Sequence, residues 1–378
     1  MRDAKVLVIN PGSTSTKIGV FEGERPLFTK TVSHDANKLA EFSDIASQLP
    51  YRRKTILQAL GESGVDLSHI DAFVGRGGGL MPMEGGTYEV NATMLAHARA
   101  GANGVQHPAQ LGPLLANEFA AQQGKRAFVV NPPDTDELCD AARMTGIKGV
   151  YRHVHLHALN LKEVAIRHAA SQGCRYEERN YIVCHLGGGV SVSAHRAGKM
   201  IDGYDIVGGD GAMAPTRCGG VPIVEVLDYL EAGHGIDEVR RLCMKSGGFV
   251  SLLGTSDARE VIERAQAGDE AAARAWEALL YQLSKSIAAM AGVLCGTVDA
   301  ILLGGGMVHD ASLVKHIEQT CGWIAPVYAY PGEFELEAMA AGALRVLRGR
   351  EKPKVYTGVP VFQGFDDERI ERIAAAVD

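Results

Sequence analysis

Four short glycine clusters stand out in this chain: Gly12-Ser13-Thr14-Ser15-Thr16-Lys17, Gly187-Gly188-Gly189, Gly208-Gly209-Asp210-Gly211 and Gly304-Gly305-Gly306. A glycine at a strand end lets backbone N–H groups approach an anion with no Cβ in the way, and neighbouring Ser or Thr hydroxyls add donors. Phosphate binding is the chemistry such clusters offer, although an ordinary tight turn would use the same residues. Two clusters directly follow predicted strands, at 181–186 and 299–303, which favours the anion. Neither G-x-x-x-x-G-K-[ST] nor a complete G-x-G-x-x-G is present, so a P-loop and a dinucleotide fold are not expected.

Arginine beside glycine is the second signal. Arg76 stands in Val74-Gly75-Arg76-Gly77-Gly78-Gly79 and Arg217 in Pro215-Thr216-Arg217-Cys218-Gly219-Gly220. A guanidinium without bulky neighbours can make paired hydrogen bonds to a carboxylate or phosphate. The alternative, a surface ion pair, contributes little. His185 ends a buried strand just before Gly187, as a donor facing the anion or as a core histidine. His153, His155 and His157 alternate as on one strand face, but no carboxylate or thiolate at ligand spacing supports zinc. His107-Pro108 opens a helix, either as a cap or as the wall of a substrate pocket. Asp257-Ala258-Arg259-Glu260 has the form of a helix start, and the same residues suit a ribose or base. Glu333 and Glu335 begin the last main helix, where they favour its dipole or reach a metal through water.

The scaffold is predicted from short β-branched runs alternating with longer segments of helical period. Strands are expected at 5–9, 72–74, 127–130, 181–186, 299–303 and 326–330, and helices at 107–123 and 269–294. This alternation indicates an α/β protein with mixed sheets. An internal repeat sharpens it. Residues 5–23 and 180–198 superimpose without a gap, with Asn10 on His185, Gly12 on Gly187 and Gly23 on Gly198. Each copy reads as a β-hairpin with a tight, approachable turn.

The length of 378 residues suits two domains or one large one. Lys+Arg total 38 against 45 Asp+Glu, a net charge of −7, so the basic face that nucleic acid requires is not expected. The seven cysteines contain no C-x-x-C pair and read as reduced thiols of a cytoplasmic protein. No signal peptide is expected at the N-terminus, and no segment has the apolar length of a membrane span.

Several segments together carry a resemblance. They are Val8-Ile9-Asn10-Pro11-Gly12-Ser13-Thr14-Ser15-Thr16-Lys17, Gly75-Arg76-Gly77-Gly78, Glu84-Gly85-Gly86-Thr87-Tyr88-Glu89-Val90-Asn91, His157-Ala158-Leu159-Asn160, His185-Leu186-Gly187-Gly188-Gly189, Gly254-Thr255-Ser256-Asp257-Ala258-Arg259-Glu260 and Ala325-Pro326-Val327-Tyr328. Over residues 5–350 the chain resembles the butyrate kinase branch of the acetate kinase family, within the superfamily of acetate and sugar kinases, chaperones and actin. The resemblance implies two actin-like (ribonuclease H-like) domains with mixed sheets flanked by helices and a cleft between them. The expected divisions are 1–178, with the C-terminal helix packing back on it, a nucleotide-binding domain at 179–350, and an extension at 351–378 carrying a helix at 366–375 packed by Ile370 and Ile373.

The resemblance further implies ATP and Mg²⁺, the reaction butyrate + ATP ⇌ butyryl phosphate + ADP, and a homo-oligomer. Asn10, Gly12 and Ser13 would lie near the phosphates and metal. His185 with Gly187, Gly188 and Gly189 would cradle phosphate, Gly304, Gly305 and Gly306 would lie under the nucleotide, and Asp257 and Arg259 near the adenosine. Arg76 and Arg217, with His185, would be catalytic, holding the substrate carboxylate and the phosphoryl group in transfer. His107 and His157 would line the substrate pocket, and Asn131 and Glu335 would join Asn10 at the metal. The chemistry agrees, because a fatty acid of pKa about 4.3 is already an anion at neutral pH and needs no general base. What the site must supply is positioning and positive charge.

One departure is Val130-Asn131-Pro132 where the family usually has Val-Asp-Pro, with Asp134 as a substitute from a shifted loop. Two other readings remain open: a kinase of acetate, propionate or a branched acid, and a catalytically idle nucleotide-binding relative.

Overall fold

The computed structural model describes residues 3–104 and 106–365. Val6, Leu7, Val8 and Ile9 are all fully buried, as a strand covered on both faces must be. They form β1 (Lys5–Pro11), followed by β2 (Ser15–Glu22), β3 (Arg25–Ser33), β4 (Ala72–Gly75), β5 (Thr87–Glu89) and β6 (Arg126–Val130). Later come β7 (Asn180–Leu186), β8 (Val190–Arg196), β9 (Lys199–Gly203), β10 (Ala300–Gly305), β11 (Val327–Pro331) and β12 (Lys354–Val355). Two sheets result, ordered β12-β5-β6-β4-β1-β2-β3 and β11-β10-β7-β8-β9. All six predicted strands are present, each within two residues of its expected ends. The strands that sequence reasoning did not anticipate, β3, β5, β9 and β12, are exposed or only two to five residues long apart from β3, whose burial pattern has no fully buried position.

The repeat is real in topology. β3-β2-β1-β4-β6 and β9-β8-β7-β10-β11 share their order and their antiparallel and parallel pairings. The gapless superposition nevertheless fails at the turn. Pro11 pairs with Thr16 across the first hairpin, whereas Leu186 pairs with Val190 across the second, so the first turn is one residue longer. Beyond it the copies correspond one residue out of the original step. The irregularity between Val20 and Phe21 recurs between Ala194 and His195, and Gly23 (φ 59) answers to Ala197 (φ 49) rather than to Gly198. The sequence match of those two glycines was a match of residue type at different turn positions.

Two compact units hold the sheets: one comprises Met1–Asp136 with Phe334–Asp378, the other Glu137–Glu333. The divisions expected at 178/179 and 350/351 therefore differ from the packing. The helix Ala158–Ser171 lies against β7 and β10 and belongs with the second sheet, while the helix Glu335–Leu347 lies against β1 and returns the chain to the first. Residues 351–365 are also part of the first unit. β12 pairs with β5, and the buried Tyr356 accepts a hydrogen bond from the Met81 N–H at 2.8 Å. The helix expected at 366–375 lies outside the described residues.

Strand alternation decides what each face offers the site. Leu7 and Ile9 pack into the core with Leu49, Ile56, Leu115 and Phe119, so Asn10 turns to the opposite face, toward the helix Glu335–Leu347. In the second unit Ile182, Cys184 and Leu186 pack with Leu279, Leu283 and Ile287 of the helix Glu270–Val293, and His185 turns toward the helix Ala158–Ser171. That long helix begins as predicted, with Asp269 accepting from the N–H groups of Ala271 and Ala272. Among the described residues no helix is long and apolar enough to cross a membrane.

Candidate active site

In the first unit the end of β1 opens on a cavity of about 240 Å³ lined by Asn10, Gly12, Lys17, Arg76, His107 and Glu335, among others. Asn10 donates from Nδ2 to Glu335 Oε2 at 2.6 Å, and Arg76 Nε lies 4.0 Å from Glu335 Oε1. Arg76 is only 7% exposed. Burial pulls its pKa down, partly offset by the carboxylates of Glu335 and Asp134. Its position is fixed by backbone contact: a Cβ on Gly112 would lie 2.0 Å from the Arg76 carbonyl oxygen, and one on Gly75 would lie 2.1 Å from that of Gly112. The glycines around Arg76 thus serve close packing as well as access. His107 caps its helix, its Nδ1 accepting from the Ala109 N–H at 3.1 Å, and also lines the cavity.

The turn after β1 is held from beneath by a residue that sequence reasoning missed. Arg52, on the helix Leu49–Glu62, is 0% exposed. Its Nη1 donates to the carbonyls of Gly12 (2.8 Å) and Ser15 (3.3 Å) and to Thr16 Oγ1 (3.3 Å), and its Nη2 donates to the Ser13 carbonyl at 3.0 Å. In sequence it sits in Arg52-Arg53-Lys54, which reads as a solvated charge run, so no local signal marked it.

In the second unit the turn Gly187-Gly188-Gly189 closes with the Gly187 N–H donating to the Gly189 carbonyl at 3.1 Å. His185 is buried, and its Nδ1 lies 2.8 Å from Asn160 Nδ2. With Asn160 donating, the neutral ring carries its proton on Nε2, on the side of Gly187. His157 stacks on it with ring centroids 3.9 Å apart, held by Ser191 Oγ at 2.8 Å from its Nδ1. Asn160 stands three residues after His157, and only the fold shows that it orients His185. Arg217 covers the turn: a Cβ on Gly189 would lie 1.7 Å from Arg217 Nη1. Its Nε donates to the Met244 carbonyl at 3.3 Å, while Nη1 is buried with no hydrogen-bond partner among the described residues. Burial lowers its pKa, and the Asp205 carboxylate partly restores it.

A larger cavity of about 860 Å³ adjoins this turn, lined by Gly187, Gly188, Asp257, Arg259, Trp276 and Gly306, among others. That volume suits a nucleotide. Asp257 caps the helix Ala258–Gln266 and pairs with Arg259 at 2.7 Å, which holds its carboxyl at about 2. The helix-start reading of Asp257 holds, and the residue also lines the cavity.

Three expectations change. Of Gly304, Gly305 and Gly306 only the last opens to the cavity. A Cβ on Gly304 would press on Asn160 at 3.1 Å, and one on Gly305 (φ 102) would lie 2.3 Å from the Leu186 carbonyl oxygen. The cluster at Gly208 is already engaged by a protein carboxylate, because Asp205 accepts from the N–H groups of Val207 and Gly208. Asn131 does not offer its amide to a metal. Its Oδ1 accepts from the Gly86 N–H at 2.7 Å, its φ is 37°, and its carbonyl accepts from Arg76 Nη1 at 3.4 Å. Of the alternating histidines, His155 pairs with Asp205 at 3.0 Å and His157 with Ser191 at 2.8 Å. Among the described residues no group of three His, Cys, Asp or Glu side chains is placed to hold a metal.

Residues 144–322 match the acetokinase family. Two relatives from Clostridium botulinum, strain Alaska E43 / Type E3 and strain Eklund 17B / Type B, each described as "Probable butyrate kinase", are 43% identical over 353 residues, covering 93% of this chain and 99% of the relative. Among solved structures, acetate kinase from Porphyromonas gingivalis matches with a TM-score of 0.72 at 19% identity, covering 91% of this chain and 100% of that one. Propionate kinase from Francisella tularensis matches with a TM-score of 0.68 at 20% identity, covering 90% and 98%. Those structural likenesses establish the fold, and with relatives this similar over nearly the whole of both chains, the chain belongs to the acetokinase family.

Proposed function

We propose that this chain transfers the γ-phosphoryl group of ATP to the carboxylate of butyrate, reversibly, giving butyryl phosphate and ADP. Two relatives at 43% identity bear the corresponding description. The observation that carries the reading is Arg217, whose buried Nη1 stands over a three-glycine turn with no acceptor among the described residues. A buried guanidinium donor is costly to leave unmade, and an anionic ligand at this turn would complete it.

The residues divide the work by chemistry. Both acid and ATP are anions, so no proton needs to leave the nucleophile. Arg76 and Arg217 each supply positive charge for these anions, one for the carboxylate and the other for the phosphoryl group in transfer. His185, with its proton directed by Asn160, donates to a phosphoryl oxygen; His157 in the second unit and His107 in the first are each assigned to binding the acid. Gly187, Gly188, Asp257, Arg259 and Gly306 belong to the nucleotide cavity. The Glu335 carboxylate, a hard oxygen donor at the smaller cavity where the Asn10 amide N–H orients it, fits Mg²⁺, which uses one or two carboxylates and completes its shell with water and phosphate. Bound there, Mg²⁺ would neutralise phosphate charge.

The same reading places the protein in the cytoplasm as a homo-oligomer. The helix Ile223–Glu231 buries none of its residues, with Ile223 69% and Val224 65% exposed, and so offers an apolar face for association. Trapping acyl phosphate as the hydroxamate, with acetate, propionate, butyrate and branched acids compared, tests the activity. The highest kcat/KM is expected with butyrate, since one methylene discriminates by about 10- to 200-fold. A folded, ATP-binding protein that forms acyl phosphate from none of these acids would be an idle relative instead.

A further inference from the structure

Arg52 is a fully buried guanidinium whose described partners include no carboxylate. Buried charges are ordinarily paired, so its arrangement calls for a counter-charge. Its Nε donates to Gln48 Oε1 at 3.0 Å, and its remaining bonds go to the turn after β1. The Thr14 carbonyl, which Arg52 does not reach, accepts from the His34 N–H at 2.9 Å. All four carbonyls of residues 12–15 therefore turn toward the interior. A peptide unit is a dipole, so carbonyls drawn inward leave N–H groups directed the other way. The N–H groups of Ser13 and Thr14 find no acceptor among the described residues, and Gly12 and Ser15 line the adjoining cavity with Lys17 and Arg76.

We infer that Arg52 is a positioning residue for phosphoryl transfer: it holds the Gly12–Ser15 turn, which the Gly12 N–H closes on the Ser15 carbonyl at 2.7 Å, with the Ser13 and Thr14 N–H groups toward the phosphoryl anion, and that anion, rather than any protein carboxylate, balances its charge. Arg52 does not touch the ligand. It acts through the turn backbone and through a positive charge set behind it. His34 adds no second charge, since burial first and then Arg52 itself push its pKa down to about 4. Its Nε2, 2.8 Å from Thr16 Oγ1, keeps the strand end in register. The assignment to phosphoryl transfer rests on the kinase reading above, but the anion seat does not, and the two can fail separately.

The test uses the full-length protein, inorganic phosphate as probe and sodium chloride at matched ionic strength as control. Phosphate should raise the Tm of the wild type saturably. Arg52→Gln, which loses both charge and fork, should lose that protection and about 10²-fold in kcat, the scale of one strong electrostatic partner, with the KM for butyrate changed far less. Arg52→Lys keeps the charge and loses the fork, so it should retain phosphate protection while kcat falls. A merely structural arginine would lower Tm in both variants equally with and without phosphate and leave the kcat of the folded fraction intact, which overturns the proposal. So does a wild type indifferent to phosphate. If Arg52→Gln does not fold, Arg52→Lys decides, and unchanged kcat there overturns the positioning role. Phosphate protection that depends on Arg52 in a protein making no acyl phosphate would sustain the anion seat and reject only the kinase reading.

Discussion

The two hairpins share a topology and place their positive charge on opposite sides of it. At the turn after β1 the cation, Arg52, lies beneath the backbone and grips its carbonyls. At the turn after β7 the cation, Arg217, lies over the backbone, where only glycine at position 189 leaves it room. Their polar strand ends differ in the same way, for Asn10 meets a carboxylate on the helix Glu335–Leu347 and His185 meets an amide on the helix Ala158–Ser171. The duplicated strands thus supply equivalent backbone turns, and segments outside the duplication supply the charge. One turn became a seat with outward N–H groups, the other a floor under an arginine.

The largest test of this contrast is electrostatic. Arg76→Ala and Arg217→Ala should each lower kcat/KM at least about 10²-fold, and Gly189→Ala should approach the Arg217 value because its methyl would occupy the place of Nη1. Gly188→Ala, whose Cβ meets nothing within 4 Å, should leave the Tm of the ligand-free protein unchanged. Steady-state kinetics beside thermal melts check all four, and normal kinetics in Gly189→Ala would show that Arg217 does not depend on the turn.

A smaller effect is expected at Asn131→Asp. The carboxylate can still accept from the Gly86 N–H, so kcat/KM should change by less than about fivefold, well below the loss of a strong electrostatic partner. A gain of about 10²-fold would show that the charge, and not the turn, is what this position contributes.

The smallest effect concerns stability against pH. His34 has a native pKa of about 4 against 6.5 for the free side chain, so the unfolded chain binds a proton that the native state refuses. Its contribution is fully present above pH 6.5 and is lost as the pH falls toward 4, at less than about 1.4 kcal/mol per pH unit. His195, buried on β8 beside Tyr176 and Ser193 and likewise held well below its ordinary value, acts with the same sign in the second unit. Urea titrations at several pH values should show a shallower acid loss in His34→Gln than in the wild type. Equal slopes would mean that His34 is protonated in the native state.

Much of the site was legible before the fold was known, because its signals are local. A buried apolar run ending in Asn10 or His185 and followed by glycine specifies a strand and a turn within a dozen residues. Arginines among glycines marked positions where the backbone comes close. The same local reading failed where partners are distant. Nothing near Asn131 announces Gly86, nothing near His185 announces Asn160, and Arg52 resembles its charged neighbours Arg53 and Lys54 until the helix Leu49–Glu62 is laid beneath the turn. Even the repeat misled by one residue, because a gapless match cannot register a turn shortened by one while glycine recurs at the next position.

The sequence by itself determined the strands, the duplicated hairpin and the residue types able to meet an anion, since strand alternation, turn chemistry and side-chain charge are properties of neighbouring residues. Tertiary structure alone decided which amides face outward, which glycines serve packing and which cations stand behind or before the backbone. Those outcomes depend on burial and on hydrogen bonds between residues far apart in the chain, and each polar group must find its partner there or leave its place for a ligand.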